Sequence, residues 1–501
     1  MMFKIRKIKR TFAIAICFTV MVSVLIMPFS KVYAAVNITI DPNIVVRAGS
    51  SSIKVGWNMP PDNFNFWDDV NWRVSDPIKS YMDDMMGQYY RYPGGTVANY
   101  FNWKKSIGSY ATRESMYNGY GVWYTPKLGV DEALKFVESV GGKMIYVLKM
   151  SDSTNYTLSA QDGADLVEYL NGDVANNPNG GTNWAQMRSN NGHPAPYNVK
   201  LFQLGNELDW PEFSFNTSTY NAMSKLVMNT MLFVDPTIQF VGNARTAPWG
   251  WTNDWDNWHN PIMDSLKVNS SFIGMALHPY YSQGSVDNMS NKWISELQTD
   301  MNTRLVDTNT GLPNGNIYVT ENAVWTNAIT DATSNMDGAV TTARFLLQNA
   351  MNPQVAMNIW HAFGKYRGNT WWPSFETNNT ARPILEVYKV LYNNGLNRDI
   401  VQSTGSTSTI QVLGAKDAGS GGYYRVSITN YEPTDQTLDI TLNGLSSGVK
   451  AITIKGVKPN GTDYENEINY TQSVNVTVNS NGTFSTVMPA KSVMVLIIPK
   501  A

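Results

Sequence analysis

Leu201-Phe-Gln-Leu-Gly-Asn-Glu207 and Asn316-Ile-Tyr-Val-Thr-Glu321-Asn322 are short apolar runs of strand character, and each carries a glutamate at its end. A parallel barrel displays its functional side chains where its strands end, at the carboxyl face of the ring. Two carboxylates presented there are the minimum set for cleaving a glycosidic bond. One protonates the departing oxygen while the other attacks the sugar or activates water. The pair therefore points to a sugar hydrolase on a barrel.

Working outward from these two runs, strand-like and helical segments alternate from about residue 51 to 395. Ile53 to Asn58, Gly87 to Pro93, Met144 to Lys149, Lys200 to Leu204, Ile238 to Gly242, Phe272 to Leu277, Ile317 to Thr320 and Val355 to Trp360 read as eight strands. Amphipathic stretches such as Asp131 to Val140, Ala164 to Asn171, Thr219 to Val234 and Val340 to Asn349 lie between them. The class expected is α/β, a (β/α)8 TIM barrel, with a doubly wound open sheet as the alternative. Beyond a last helix at Ile384 to Tyr392, short β-prone runs split by Gly, Ser, Asn and Asp fill residues 396–501, which predicts a C-terminal antiparallel β-sandwich. Residues 35–50 are also strand-like and are expected to join that sandwich.

The first 34 residues read as an export signal. Lys4, Arg6, Lys7, Lys9 and Arg10 precede an uncharged apolar stretch, and Val32-Tyr33-Ala34-Ala35 offers small residues for cleavage, so the expected location is extracellular. An uncleaved anchor is the alternative reading of the same stretch. The only cysteine, Cys17, lies inside it, so a processed chain would contain no disulfide. Removing this segment leaves 32 basic and 40 acidic residues, a net charge of −8. That balance disfavours nucleic acid, and disfavours a membrane once the signal is removed. Aromatic residues make up 12% of the chain, and several stand among Asn and Asp, as in Trp249-Gly-Trp251-Thr-Asn-Asp-Trp255-Asp-Asn-Trp258. Flat rings beside hydrogen-bonding groups suit carbohydrate, although such rings also serve as loop anchors.

With these motifs in order, the chain resembles clan A of the glycoside hydrolases, whose fourth barrel strand ends in Asn-Glu and whose seventh ends in a second Glu. The resemblance implies Glu207 as acid/base, Asn206 as a donor to the sugar 2-hydroxyl and Glu321 as nucleophile of a retaining reaction. Ala276-Leu-His278-Pro-Tyr280-Tyr281 falls at the sixth strand, where the clan often carries a His and a Tyr that orient the nucleophile. Arg91-Tyr-Pro-Gly-Gly95 resembles the second-strand region of family 51 arabinofuranosidases and of heparanase-like glucuronidases, and the flanking sandwich agrees with families 39, 51 and 79. Asn358-Ile-Trp360 fits the eighth strand, where an aromatic floor for the sugar is implied. Arg91, His278, Tyr280 and Trp360 are thus expected beside Asn206 as substrate-binding residues, with Arg91 also able to hold Glu321 ionised. The Thr320-Glu321-Asn322-Ala323 context departs from the usual surroundings of the family 51 nucleophile.

Asp209 and Glu212 follow Glu207 closely and read as loop carboxylates. His193, His259 and His361 show no metal-ligand spacing, so neither metal nor cofactor is expected. The leading function is hydrolysis of plant cell-wall glycans by an arabinofuranosidase, xylosidase or xylanase-like enzyme, with carbohydrate as the partner. A glucuronidase, drawing a cationic subsite from Lys149 and Arg245, is one alternative. A carbohydrate-binding protein without catalysis is the other.

Overall fold

The computed structural model describes residues 34–62, 66–85, 88–150, 156–245, 255–325, 333–364, 372–419, 421–462 and 466–500. The expected export signal and the tryptophans Trp249 and Trp251 lie outside them. The N-terminal strand is β1 (Val36–Arg47). Eight strands follow: β2 (Lys54–Asn58), β3 (Tyr89–Tyr92), β4 (Lys143–Val147), β5 (Leu201–Gln203), β6 (Gln239–Asn243), β7 (Phe272–Leu277), β8 (Asn316–Val324) and β9 (Val355–Trp360). Each pairs in parallel with the next, and β9 pairs with β2, so the ring closes. The open-sheet alternative is thereby excluded, since closure leaves no edge strand.

Strand alternation sorts the side chains between two environments. Ile145, Val241, Ala276, Tyr318, Met357 and Ile359 point inward and form one buried cluster. Their neighbours on the same strands, such as Tyr146, Phe240, Met275 and Val319, point outward to the helices. The helix layer includes Val130–Ser139, Tyr156–Asn171, Thr217–Val234, Met336–Met351 and Pro383–Leu391. Asn216 caps the third of these, accepting from Thr219 N at 2.9 Å, and Asn335 caps the fourth, accepting from Gly338 N at 3.2 Å. Both caps satisfy donors that a helix start leaves unpaired.

The sandwich strands are β10 (Asp399–Thr404), β11 (Ile410–Lys416), β12 (Tyr423–Asn430), β13 (Gln436–Leu442), β14 (Gly448–Pro459), β15 (Glu467–Val478), β16 (Thr483–Met488) and β17 (Ser492–Pro499). β1 lies among them, antiparallel to β10 and parallel to β13, the one departure from antiparallel pairing among the described strands of this sheet. All nine contribute to a single core, from Ile38 and Ile40 to Leu496 and Ile498. On β17 the alternate residues Val493, Val495 and Ile497 instead join the cluster of the barrel helices. A strand buried on both faces reads as an unbroken apolar run, as Val493 to Ile498 does in the sequence.

Candidate active site

At the end of β5 the chain turns through the left-handed region twice, at Gly205 (φ 79°) and Glu207 (φ 49°). Glycine adopts that conformation at no steric cost, whereas Glu207 is held there by its surroundings. Gln203 donates to Gly205 O at 3.0 Å. Asn243, at the end of β6, closes the turn. With its amide oriented to satisfy its neighbours, it donates to Gly205 O (2.9 Å) and accepts from Glu207 N (3.1 Å) and Leu208 N (3.2 Å). Asn99 brackets Asn206 from the other side, accepting from its N–H at 3.1 Å and donating to its carbonyl at 2.7 Å.

Glu321 reaches the same space by a different device. Between Val319 and Asn322, β8 holds one residue more than the facing stretch of β9, from Asn358 to Trp360. Such a bulge re-aims the side chains on it. Thr320 and Glu321 both serve the site, while Asn322 faces outward and donates to Asn358 Oδ1 (2.8 Å) and Ile359 O (2.6 Å).

The Glu321 carboxylate is enclosed by donors. Oε2 accepts from Arg91 Nη1 (3.0 Å) and Asn58 Nδ2 (3.3 Å), and Oε1 accepts from Tyr280 OH, with His361 Nδ1 at 3.9 Å. Its side chain is only 7% exposed. Burial acts to raise its pKa, but the charges of His361, His278 and Arg91 and the Tyr280 hydroxyl outweigh it and hold the carboxyl at about 2. Arg91 is tied on every side, donating to Gln203 Oε1 (2.9 Å), Asn58 Oδ1 (3.0 Å) and Asn206 Oδ1 (2.5 Å) as well as to Glu321. Gly94 packs so closely on Asn58 that any Cβ there would overlap its amide oxygen.

Glu207 is held more lightly, and its side chain is 16% exposed. His278 bridges the two strand ends, with Nδ1 2.8 Å from Glu207 Oε1 and Nε2 3.0 Å from Thr320 Oγ1. Both ring nitrogens are thus engaged, one at each strand end. One ligand-type oxygen of each glutamate and one nitrogen of His278 lie within 4.8 Å of one another. Asp256, His259 and Asp300 form a second group of this geometry, and each member of the first already has protein partners.

The structure thus brings Glu207, Glu321, Asn206, Arg91, His278 and Tyr280 together and sets Trp360 apart. Met357 and Ile359 face the barrel interior, so by alternation Trp360 turns outward into the helix layer, where it is fully buried. It cannot floor a sugar site. His361, one residue on, instead turns toward the carboxylates, beside Asn58 Nδ2 (2.5 Å), and burial pushes its pKa down. Arg91 is also fully buried, so it acts through Glu321 and not as a direct substrate contact. His278 orients Glu207, whereas Tyr280 orients the other glutamate. Trp258 is a core anchor whose indole donates to Asn243 O at 3.1 Å. Asn58, Asn99, Gln203, Asn243, Thr320 and His361 escaped the sequence reading. Position at a strand end was the available signal for Asn58, Asn243 and His361.

This fold and this pair of strand-end carboxylates define the chain as having the architecture of a clan A glycoside hydrolase. Within that class it resembles family 51. Residues 81–285 match the family model for the alpha-L-arabinofuranosidase 1 domain. An intracellular exo-alpha-(1->5)-L-arabinofuranosidase of Halalkalibacterium halodurans is 24% identical over 217 residues, which are 42% of this chain and 39% of that protein. The chain therefore aligns with about two fifths of the length of that relative. A probable alpha-L-arabinofuranosidase A of Aspergillus terreus is 22% identical over 445 residues, covering 83% of this chain and 63% of that one. The alpha-L-arabinofuranosidase of Thermotoga maritima, solved with arabinose, superposes with a TM-score of 0.75 at 17% identity, covering 92% of this chain and 99% of that one.

Proposed function

We propose that this chain is a secreted, retaining α-L-arabinofuranosidase acting on plant cell-wall glycans, with Glu321 as nucleophile and Glu207 as acid/base. The observation that carries the mechanism is the approach of the two carboxylates, whose oxygens come within 4.8 Å. Retaining pairs stand about 5–5.5 Å apart, while inverting pairs are separated by about 6.5–9.5 Å to admit a water. The names of the relatives support the choice of sugar.

The two roles follow from the two environments. A nucleophile must be ionised, and Glu321 is kept so by Arg91, Asn58 and Tyr280. Glu207 donates its proton to the departing oxygen as Glu321 bonds to the anomeric carbon. The negative charge of Glu321 is then spent in the ester, and Glu207 takes a proton from the water that releases the sugar. The buried Nδ2 of Asn206 has no acceptor among the described residues, which leaves it to donate to the sugar 2-hydroxyl.

A panel of p-nitrophenyl glycosides tests the substrate. The α-L-arabinofuranoside should be turned over in preference to the β-D-xyloside and the β-D-glucuronide, and preference for the glucuronide would favour the alternative enzyme. Lys149, offered above as a cation for such a uronate, acts electrostatically on Asp162, which pairs with Lys104 at 3.1 Å. Export is tested by N-terminal sequencing of protein recovered from the medium, expected to begin at Ala35 or Val36.

A further inference from the structure

The barrel has a second opening at the end opposite the carboxylates, where the strand starts enclose a cavity of about 580 Å³. Its wall combines the lowest inward-facing layer of the barrel with residues 134–142 and 197–200 outside the ring. Lys54 opens β2 and Lys143 opens β4, and Tyr89 at the start of β3 lies between them, in register with Lys143. Tyr318, Gln239 and Asn316 add further polar groups. Branched apolar side chains usually fill a barrel at this level. The apolar cluster containing Ile145, Val241 and Ile359 lies inside the same barrel, between these strand starts and the strand ends that carry the glutamates.

Among the described residues, Arg47, Lys54 and Lys143 on this wall make no ion pair. Arg47, 3% exposed, closes one side and donates to the carbonyls of Ser51 (2.7 Å), Ala350 (3.3 Å), Asn352 (3.0 Å) and Val355 (2.9 Å), none of them a carboxylate. Among the described residues, neither Lys54 nor Lys143 has a carboxylate within 4.0 Å. Two other charged groups on the wall have partners of their own, Lys200 bonding Asp235 (2.8 Å) and Glu138 bonding the His193 ring (3.0 Å). The Lys54 ammonium is pushed below its ordinary range by burial and then by the charges of Arg47 and Lys143. Uncompensated cations around a polar cavity attract an anion, most strongly where the wall excludes water.

We propose that this amino-end cavity is a binding site for a small oxyanion, held by the ammonium groups of Lys54 and Lys143 with the Tyr89 and Tyr318 hydroxyls as neutral donors. Burial raises the pKa of both phenols, so they remain protonated and able to donate. Inorganic phosphate and the carboxylate of a sugar acid share the required chemistry.

Calorimetric titration of the full chain with inorganic phosphate, sulfate and glucuronate, against sodium chloride at equal ionic strength, tests the site. The expected result is saturable binding of at least one oxyanion, weakened about tenfold or more in both Lys54→Met and Lys143→Gln. Aryl-glycoside hydrolysis should be the same in the wild type and both variants. Lys143 is exposed, so its substitution leaves folding intact and keeps the test decisive should Lys54→Met misfold. Binding of phosphate and sulfate alone would identify an inorganic anion, and binding of glucuronate alone a sugar acid. Absence of saturable binding, or binding that neither substitution weakens, would overturn the site.

Discussion

The ends of β5 and β8 deliver the same functional group by opposite means. β5 ends in a left-handed turn whose carboxylate meets one imidazole and retains exposed surface. β8 carries a bulge whose carboxylate is buried beneath an arginine, an asparagine and a tyrosine. On the proposed mechanism, the number and charge of the donors, rather than the residue type, divide the labour between the two glutamates: the one held ionised by its donors attacks, and the lightly held one exchanges protons with substrate and water.

Removing either carboxylate tests that division most severely. Glu321→Ala should lower turnover by about 100,000-fold on every substrate, because no glycosyl-enzyme forms. Glu207→Ala should lose about 100- to 10,000-fold on natural glycans yet still react rapidly with an activated aryl glycoside, accumulating the intermediate in a pre-steady-state burst. Equal losses on both substrate types would erase the distinction between the strand ends.

Arg91→Met probes how the β8 carboxylate is held. In the wild type the surrounding charges and the Tyr280 hydroxyl hold the Glu321 carboxyl at about 2, below its ordinary value of 4.5. The stability it lends is therefore complete above the unfolded carboxyl range and is lost as pH falls through about 2. Without the guanidinium, the acidic limb of kcat/KM should move upward by about 1–3 pH units. Chemical denaturation at neutral pH should show a loss of about 3–5 kcal/mol, since a buried charge is left without its partner. An unmoved acidic limb would show that Arg91 does not set the ionisation.

The smallest effect is expected at the β5 turn. Asn243→Ala removes the acceptor of the Glu207 and Leu208 amides and should cost about 1–3 kcal/mol in stability. It should also reduce kcat/KM on natural substrate more than on an activated glycoside, because proton donation depends on where Glu207 stands. The reverse pattern would place the role of Asn243 at the other strand end.

Much of this was legible in the sequence. Each strand run that predicted the barrel lies within a few residues of an observed strand, because alternation of buried and helix-facing side chains leaves a local signature. Glu207 and Glu321 stood out as polar groups closing apolar runs. The failures were of parity and of distant pairing. Trp360 was expected in the site because the resemblance implies an aromatic floor at the end of the eighth strand, but which way a strand-end side chain faces depends on register, which one strand does not reveal. The bulge that turns Glu321 inward is likewise defined only against β9.

The assignment of roles to the two strand ends is tested most directly by azide rescue of Glu207→Ala on an activated aryl arabinofuranoside, with the anomeric configuration of the glycosyl azide read by NMR. A glycosyl-enzyme on Glu321 is attacked by azide from the face that water would use, so the product should retain the configuration of the substrate. An inverted azide from this variant would show that Glu207 is the nucleophile and would contradict the account.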